Sequence, residues 1–282
     1  HAPKWVMLFL SIVAIVVVIT ATGVIQVNPI AVVTYLTISI CIIVASYFSY
    51  LYFFTHLDRI DKKKILICLV LFVTAALFWA AFEQKPTSFN LFAQDFTDRQ
   101  VFGFEVPAVW FQSANPLFII IFAPIAAWLW VKLGKRNQDP SYISKFIIAL
   151  LLAACGFLVM TFASYSILDN PNSLVSPMWL ISTLLLMTLG EICLSPVGLS
   201  TMTKLAPTIM RGQIMGLWFT ASALGNLMAG LIGGHVSASE IANLPTLFLR
   251  CVIALLIGAI VLFLLRKPIL KLVNDCHEQQ AG

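Results

Sequence analysis

The sequence predicts an all-α membrane protein of about eight spans. Two observations carry this. Of 282 residues, 60% are hydrophobic and 10% charged, with a mean hydropathy of +0.97. A soluble domain carries about a quarter charged residues, so lipid is the solvent this composition suits. The apolar residues also form continuous blocks near the ~20 residues that a helix needs to cross a bilayer, too long and too unbroken for tilted barrel strands.

The first block, Trp5–Val27, exceeds a signal-peptide core, and no small-residue cleavage site follows it. The chain begins His1-Ala2-Pro3 without methionine, which suggests a piece of something longer. Pro29–Phe54 follows at once. Together the two blocks make a hairpin over residues 1–56, free of acidic residues in its spans and apolar on nearly every face. Such helices face lipid, so the hairpin is expected to be peripheral. Leu57–Lys64, with Asp58, Arg59, Asp61 and three lysines, reads as a charged linker. Six more blocks occupy residues 65–270: Ile65–Glu83, Val106–Val131, Phe146–Ile167, Met178–Thr201, Gly212–Gly234 and Leu247–Leu265. A tail, 271–282, completes the chain. These six blocks carry Gly, Pro, Asn, Gln and Glu at membrane depth, where such residues face a packed interior or a water-filled cavity. Lys85–Glu105 is the longest outer loop, and Pro-bounded turns fall at Asp139-Pro140 and Asn170-Pro171.

Charge sets the orientation. With the N-terminus in the cytoplasm, the outer side holds only Lys85, Arg99 and Arg250, and the other fourteen of the seventeen basic residues lie inside. That is the positive-inside bias, and merging or splitting one block would break it downstream. The net charge of +5 therefore reports topology. A nucleic-acid surface would gather its cations with aromatics on one solvated face, so no nucleic-acid partner is expected.

The cysteines are Cys41, Cys68, Cys155, Cys193, Cys251 and Cys276; none forms a C-x-x-C pair and five sit in apolar blocks as small hydrophobes. His56, His235 and His277 are scattered and propose no metal site. The sequence has no HExxH, no G-x-S-x-G with partners and no Walker loop, so an enzyme is not expected.

Glu191 is the sharpest signal. Counting ~1.5 Å per residue from Met178 puts it roughly 20 Å into its span. A bare carboxylate there costs at least a few kcal/mol, so it pairs with a cation, is hydrated or carries a proton. A proton or amine site and a structural hydrogen bond between helices are both open readings. Pro196 cannot donate to the carbonyl of Ile192 and should kink the helix. With Gly198 it marks either a moving half-helix beside a site or an ordinary packing kink. Glu83 closes the third block, at the outer interface, unless the helix runs on through Phe89-Asn90-Leu91-Phe92; Lys85 and Pro86 argue weakly against that. Gln112, Ser113, Asn115 and Pro116 cluster near the outer end of the fourth block. Asn115 precedes a proline, so its backbone is biased away from helix, and its amide either binds a carboxylate or carbonyl or repairs a kink. Trp79, one turn before Glu83, and Trp218-Phe219 either line a pocket or pack as aromatics often do in spans. Gly216, Gly225, Asn226, Gly230, Gly233 and Gly234 allow close helix contact. Arg250 is expected to snorkel to the outer interface.

These residues carry a family resemblance. Gly190-Glu191-Ile192-Cys193-Leu194-Ser195-Pro196-Val197-Gly198-Leu199-Ser200, with Thr203-Lys204-Leu205-Ala206-Pro207, resembles the tenth-helix motif of proton-dependent oligopeptide transporters. Phe78-Trp79 with Phe82-Glu83-Gln84 resembles their seventh helix, Trp110-Phe111-Gln112-Ser113 with Asn115-Pro116-Leu117-Phe118 their eighth, and Leu217-Trp218-Phe219 their eleventh. The resemblance implies a major-facilitator fold with two six-helix halves and a peptide site between them. Residues 65–270 would be the C-terminal six-helix bundle, and the hairpin would be the two-helix insertion that many bacterial members carry between their halves. It implies Glu83 at a proton-coupling position and Glu191 at the peptide amine, with Asn115, Trp79, Trp218 and Phe219 lining the pocket. Pro116, Pro196 and Gly198 would then be hinges. Di- and tripeptides are the implied substrates, with the proton as coupling ion and no cofactor, in a bacterial inner membrane with both termini cytoplasmic. The family's first-helix motif, E-x-x-E-R followed by aromatics, is absent along with the whole N-terminal half. That half is therefore an implied partner, beside membrane lipid, and this chain is not expected to transport alone. A membrane scaffold that binds a partner through its polar helix face is the competing class; it predicts that Glu83→Gln and Glu191→Gln are silent.

Overall fold

The computed structural model describes residues 6–7, 11, 28–55, 57–170, 173–207, 210–234 and 241–281; for 234, 241 and 273–281 this is backbone only. Almost all of the first block, the Pro171 turn, His56, His235 and the side chains of Cys276 and His277 lie outside that description.

Each of the seven later blocks is a helical rod long and apolar enough to cross a bilayer. Helix α1 is Pro29–Phe53, opened by Pro29 after Asn28, whose Oδ1 accepts from the Ile30 and Ala31 amides. Helix α2 is Arg59–Phe82, so the charged stretch before residue 65 is itself helical from Arg59 on. A π turn at Lys85–Phe89 leads into α3, Asn90–Phe96. A two-residue hairpin pairs Gln100–Val101 with Phe104–Glu105 through Phe102 and Gly103, both at positive φ. A 3₁₀ segment, Ala108–Ser113, enters α4, Ala114–Lys135. The remaining rods are α5, Tyr142–Asp169, with Ser141 as its N-cap; α6, Met178–Leu205; α7, Arg211–Gly234; and α8, Leu244–Ala281.

Two sequence expectations change here. The third span does not stop at Glu83: α2, the π turn and α3 form one apolar rod, Arg59–Phe96, and Glu83 falls well inside it. Pro86 sits at the start of the π turn, where its missing N–H costs least, so it does not end the rod. Asn115 is helical rather than extended. Pro116 falls in the first turn of α4, whose amide donors have no intrahelical acceptor in any case.

The rod Arg59–Phe96 is the most enclosed of the described spans, and α5 is next. Phe146, Leu150, Phe157 and Met160 on it are fully buried between α6 and α8. Helix α2 pairs with α7, and Phe89, Phe157 and Phe248 close the end of the bundle away from the lysines, with ring centroids 5.3–6.0 Å apart. Lipid tails are as apolar as these side chains, so burial alone does not hold helices together in a membrane; close packing does. Glycines supply it. A Cβ on Gly190 would lie 2.9 Å from the Ala149 carbonyl oxygen, and one on Gly225 would overlap Trp79 and Ala80. By contrast α1 is mostly exposed. It rests on α2 and α7 through Phe48 against Phe72 and the Tyr47 hydroxyl, which donates to Gln213 Oε1 at 2.6 Å. Helix α4 buries none of its residues and packs mainly on α6. At the lysine-rich end, Lys145 pairs with Asp139 at 2.9 Å and lies over Trp130, tying α5 to α4.

Gly225→Leu should overpack the α2–α7 contact by ~1–3 kcal/mol. Gly212, which has open space around it, serves as control. In detergent, Gly225→Leu should lower the thermal midpoint by several degrees and Gly212→Ala should leave it in place. Equal midpoints would mean that the glycine does not set the approach.

Candidate functional site

Three rods bring polar groups to one place. Glu191 and Thr188 lie three residues apart on α6, which puts them on one face. Asn115 comes from the first turn of α4, Glu83 caps α2, and Lys85 opens the π turn. Asn115 is the hub. Its Nδ2 donates to Glu191 Oε2 at 3.1 Å and to Thr188 Oγ1 at 2.9 Å, and its Oδ1 accepts from Lys85 Nζ at 3.2 Å. This orientation of the amide is the one its neighbours demand, since a carboxylate only accepts and an ammonium only donates. The Lys85 ammonium also sits 3.3 Å from the centroid of the Phe82 ring. Glu83 is half-buried and within electrostatic reach of Lys85 and Glu191, and its carboxylate has no hydrogen bond or ion pair among the described residues. Two carboxylates therefore share one fixed ammonium.

Glu191 opens onto a cavity of about 400 Å³ between α4 and α6. Ile119, Ala123, Ala127 and Trp130 form one wall, Ile192, Ser195 and Pro196 the other. The Ser195 hydroxyl is buried without a hydrogen-bond partner among the described residues. A second cavity of about 500 Å³ shares Pro196 and Val197 with the first and runs on past Ser200 and Thr201 to Lys145 and Lys204. The two make a polar-flecked wall along α6 from Glu191 toward the lysine-rich end.

The structure brings Glu83, Glu191 and Asn115 together and leaves the aromatics apart from them in different ways. Trp79 packs edge-on against Phe78 and Phe82, with its indole N–H buried and unpartnered among the described residues. Trp218 is 4% exposed and seats its ring over Gly198, where any Cβ would overlap it. Phe219, one residue on, is 60% exposed. Pro196 lies within α6, which stays helical through it, and is exposed toward the cavities.

Sequence reasoning missed three residues. Lys85 reads as an interface marker, yet it is a member of the cluster. Thr188 reads as filler. Gln84 is fully buried, and its amide supports the break between α2 and the π turn. Its Nε2 faces the carbonyls of Ala80 and Ala229 at 3.3 and 3.4 Å, and its Oε1 accepts from Ser88 at 2.7 Å. One signal was available: Phe78, Phe82, Phe89, Phe92 and Phe96 keep helical spacing straight across Lys85 and Pro86. Gln84→Leu should strand the Ser88 hydroxyl and the Ala229 carbonyl at a cost of ~1–3 kcal/mol. Hydrogen exchange at amides 87–96 should then speed up relative to the rest of the bundle, whereas unchanged exchange would remove Gln84 from this role.

Comparison with known proteins finds relatives along the whole chain. The model of the POT family matches residues 4–247. The chain is 53% identical, over 99% of its length and 55% of the relative's, to the peptide transporter YePEPT of Yersinia enterocolitica. It is 31% identical, over 81% of its length and 46% of the relative's, to a di-/tripeptide transporter of Lactococcus lactis subsp. cremoris. A crystal structure of the peptide transporter POT in complex with sulfate aligns over 96% of this chain and 53% of that one, at a TM-score of 0.82 and 32% identity. The expected fold class, an all-α membrane protein of the major-facilitator type, agrees with that structural match and with the seven membrane-spanning helices among the described residues. This chain, which spans about half the length of the curated relatives it matches, belongs to the POT family of proton-dependent oligopeptide transporters.

Proposed function

We propose that this chain is the C-terminal half of a proton-coupled di-/tripeptide symporter of a bacterial cytoplasmic membrane, with both termini inside, working with a six-helix N-terminal half as the other wall of the peptide cavity. The observation that carries the proposal is the Lys85–Asn115–Glu191 cluster, held at membrane depth and opening onto the most exposed long face of the bundle. An apolar helix with none of its residues buried, beside a face that carries a carboxylate, calls for a polar cavity rather than lipid on that side. The names of the relatives, peptide transporter and di-/tripeptide transporter, support the substrate class.

Charge balance gives the mechanism. Glu83 and Glu191 against Lys85 leave the cluster one negative charge in excess. Either a proton or a peptide ammonium brings it to neutrality, so each arrival alters what the site offers the other. Glu191 is assigned the peptide amine, because it faces the cavity with one carboxylate edge fixed by Asn115. A charge-assisted hydrogen bond is roughly twice as strong as a neutral one. Glu83, deeper in the rod and without a fixed partner, is assigned the coupling proton. Asn115 keeps Glu191 and Lys85 in register. Trp79, Trp218 and Phe219 are assigned to the peptide's flank; Trp218 would reach it once α6 and α7 slide at Gly198. Pro196 and Pro116 are assigned the bends that accompany such a movement. No cofactor is required, because the proton is the driving ion.

The test joins this chain to an N-terminal half of the family in liposomes with an imposed proton gradient. The joined protein should accumulate dialanine, and this chain alone should not. Glu83→Gln should reduce gradient-driven accumulation by about tenfold or more while leaving peptide exchange at equal pH. Glu191→Gln should reduce both, since it removes a charge-assisted contact to the peptide. Silent Glu83→Gln and Glu191→Gln variants would instead favour a scaffold.

A further inference from the structure

A groove of about 660 Å³ lies away from the Glu191 cluster, between the end of α7 and the first turns of α8. Helix α8 packs on α5 and α2, not on the helices that bound the Glu191 cavity. Ile232 of α7 faces Leu247, Cys251 and Ala254, which repeat every three or four residues down one stripe of α8. Thr246 and Arg250 line the same groove, Thr246 one residue before Leu247 and Arg250 one residue before Cys251.

Arg250 is the unusual member. It begins ~9 Å below the start of α8, and helical side chains lean toward the helix N-terminus. Its guanidinium therefore reaches back toward the membrane interface beside Thr246. It is exposed and has no hydrogen bond or ion pair among the described residues. Among the described residues three cations near rod ends have ion-pair partners, Lys64 with Asp61, Lys145 with Asp139 and Arg99 with Glu105; Arg250, like Lys204 and Arg211, has none. Its neighbours Leu249, Ile253 and Ile257 are exposed apolar residues, as on a lipid-facing helix.

An unpaired cation reaching toward the interface beside an apolar slot matches an amphiphile with an anionic head and a hydrocarbon tail. The planar guanidinium fork fits a phosphate with two parallel hydrogen bonds. We propose that this groove binds one anionic phospholipid, with its phosphate on Arg250 and an acyl chain laid along Leu247, Cys251 and Ala254 against Ile232. The lipid would bridge α7 and α8, and so tie a helix that bears Trp218 to one that does not border the peptide cavity.

Native mass spectrometry of the purified protein tests this, with phosphatidylglycerol and phosphatidylcholine of the same acyl chains. The protein should retain one phosphatidylglycerol in preference to phosphatidylcholine. Arg250→Ala should weaken that retention about tenfold, the size of one lost charge-assisted contact, and Arg250→Lys should weaken it less. Ala254→Trp, which fills the apolar end, should also lose the lipid while Arg250 remains. Millimolar inorganic phosphate should not displace it, since the tail contributes. Undiminished retention in Arg250→Ala, equal retention of the two lipids, or displacement by phosphate alone would each overturn the proposal.

Discussion

Asn115 uses both ends of its side-chain amide at once, donating to Glu191 and Thr188 and accepting from Lys85. Lipid offers no hydrogen bonds, so a carboxylate and an ammonium at membrane depth have to be satisfied from within the protein. One neutral amide does this without quenching either charge. It holds Lys85 and Glu191 apart as an ordered chain rather than letting them collapse into a direct ion pair. Both then remain able to answer a new charge. The position of every other element follows from bringing α4, α6 and the π turn close enough for that amide to reach.

The break in the second rod serves the same end. A regular helix through residues 83–89 would turn Glu83 and Lys85 to faces about 200° apart. The turn at Glu83-Gln84 and the wider π turn after it re-aim the chain, as such segments often do at functional sites. The backbone groups that the break frees are met by Gln84, and Gln84 is steadied by α7, which comes close because Gly225 and Gly233 have no side chains to hold it off. Small residues far from the charges thus decide where the charges stand.

The spans were legible because hydropathy and length are properties of a window of residues, and lipid enforces both. Glu191 was legible for the same reason, since a carboxylate in mid-span has few innocent explanations. Glu83 was not legible from the residues alone. Lys85 and Pro86 look like the end of a span, and only tertiary partners, Asn115 and the Phe82 ring for Lys85, make them tolerable inside one. Asn115 went the other way: the local bias for a residue before proline gave way to its tertiary partners Glu191, Thr188 and Lys85, and Pro116 is tolerated because the first helical turn has no use for the missing donor. Gly198 was read as a candidate hinge, and in this conformation its visible use is to seat the Trp218 ring. Lys85 shows where single-sequence reasoning stops: its role is set by residues 30 and 106 positions away.

The central claim is that the α4–α6 face carrying Glu191 lines a water-filled peptide cavity. Cysteine accessibility tests it most directly. In the protein joined to an N-terminal half, with native cysteines replaced, Ala123→Cys and Ala127→Cys should react with a membrane-impermeant maleimide and be protected by a dipeptide. Ile257→Cys, exposed on α8, should do neither. Ala123→Cys and Ala127→Cys that stay as unreactive as Ile257→Cys, or react without protection by dipeptide, would contradict the account.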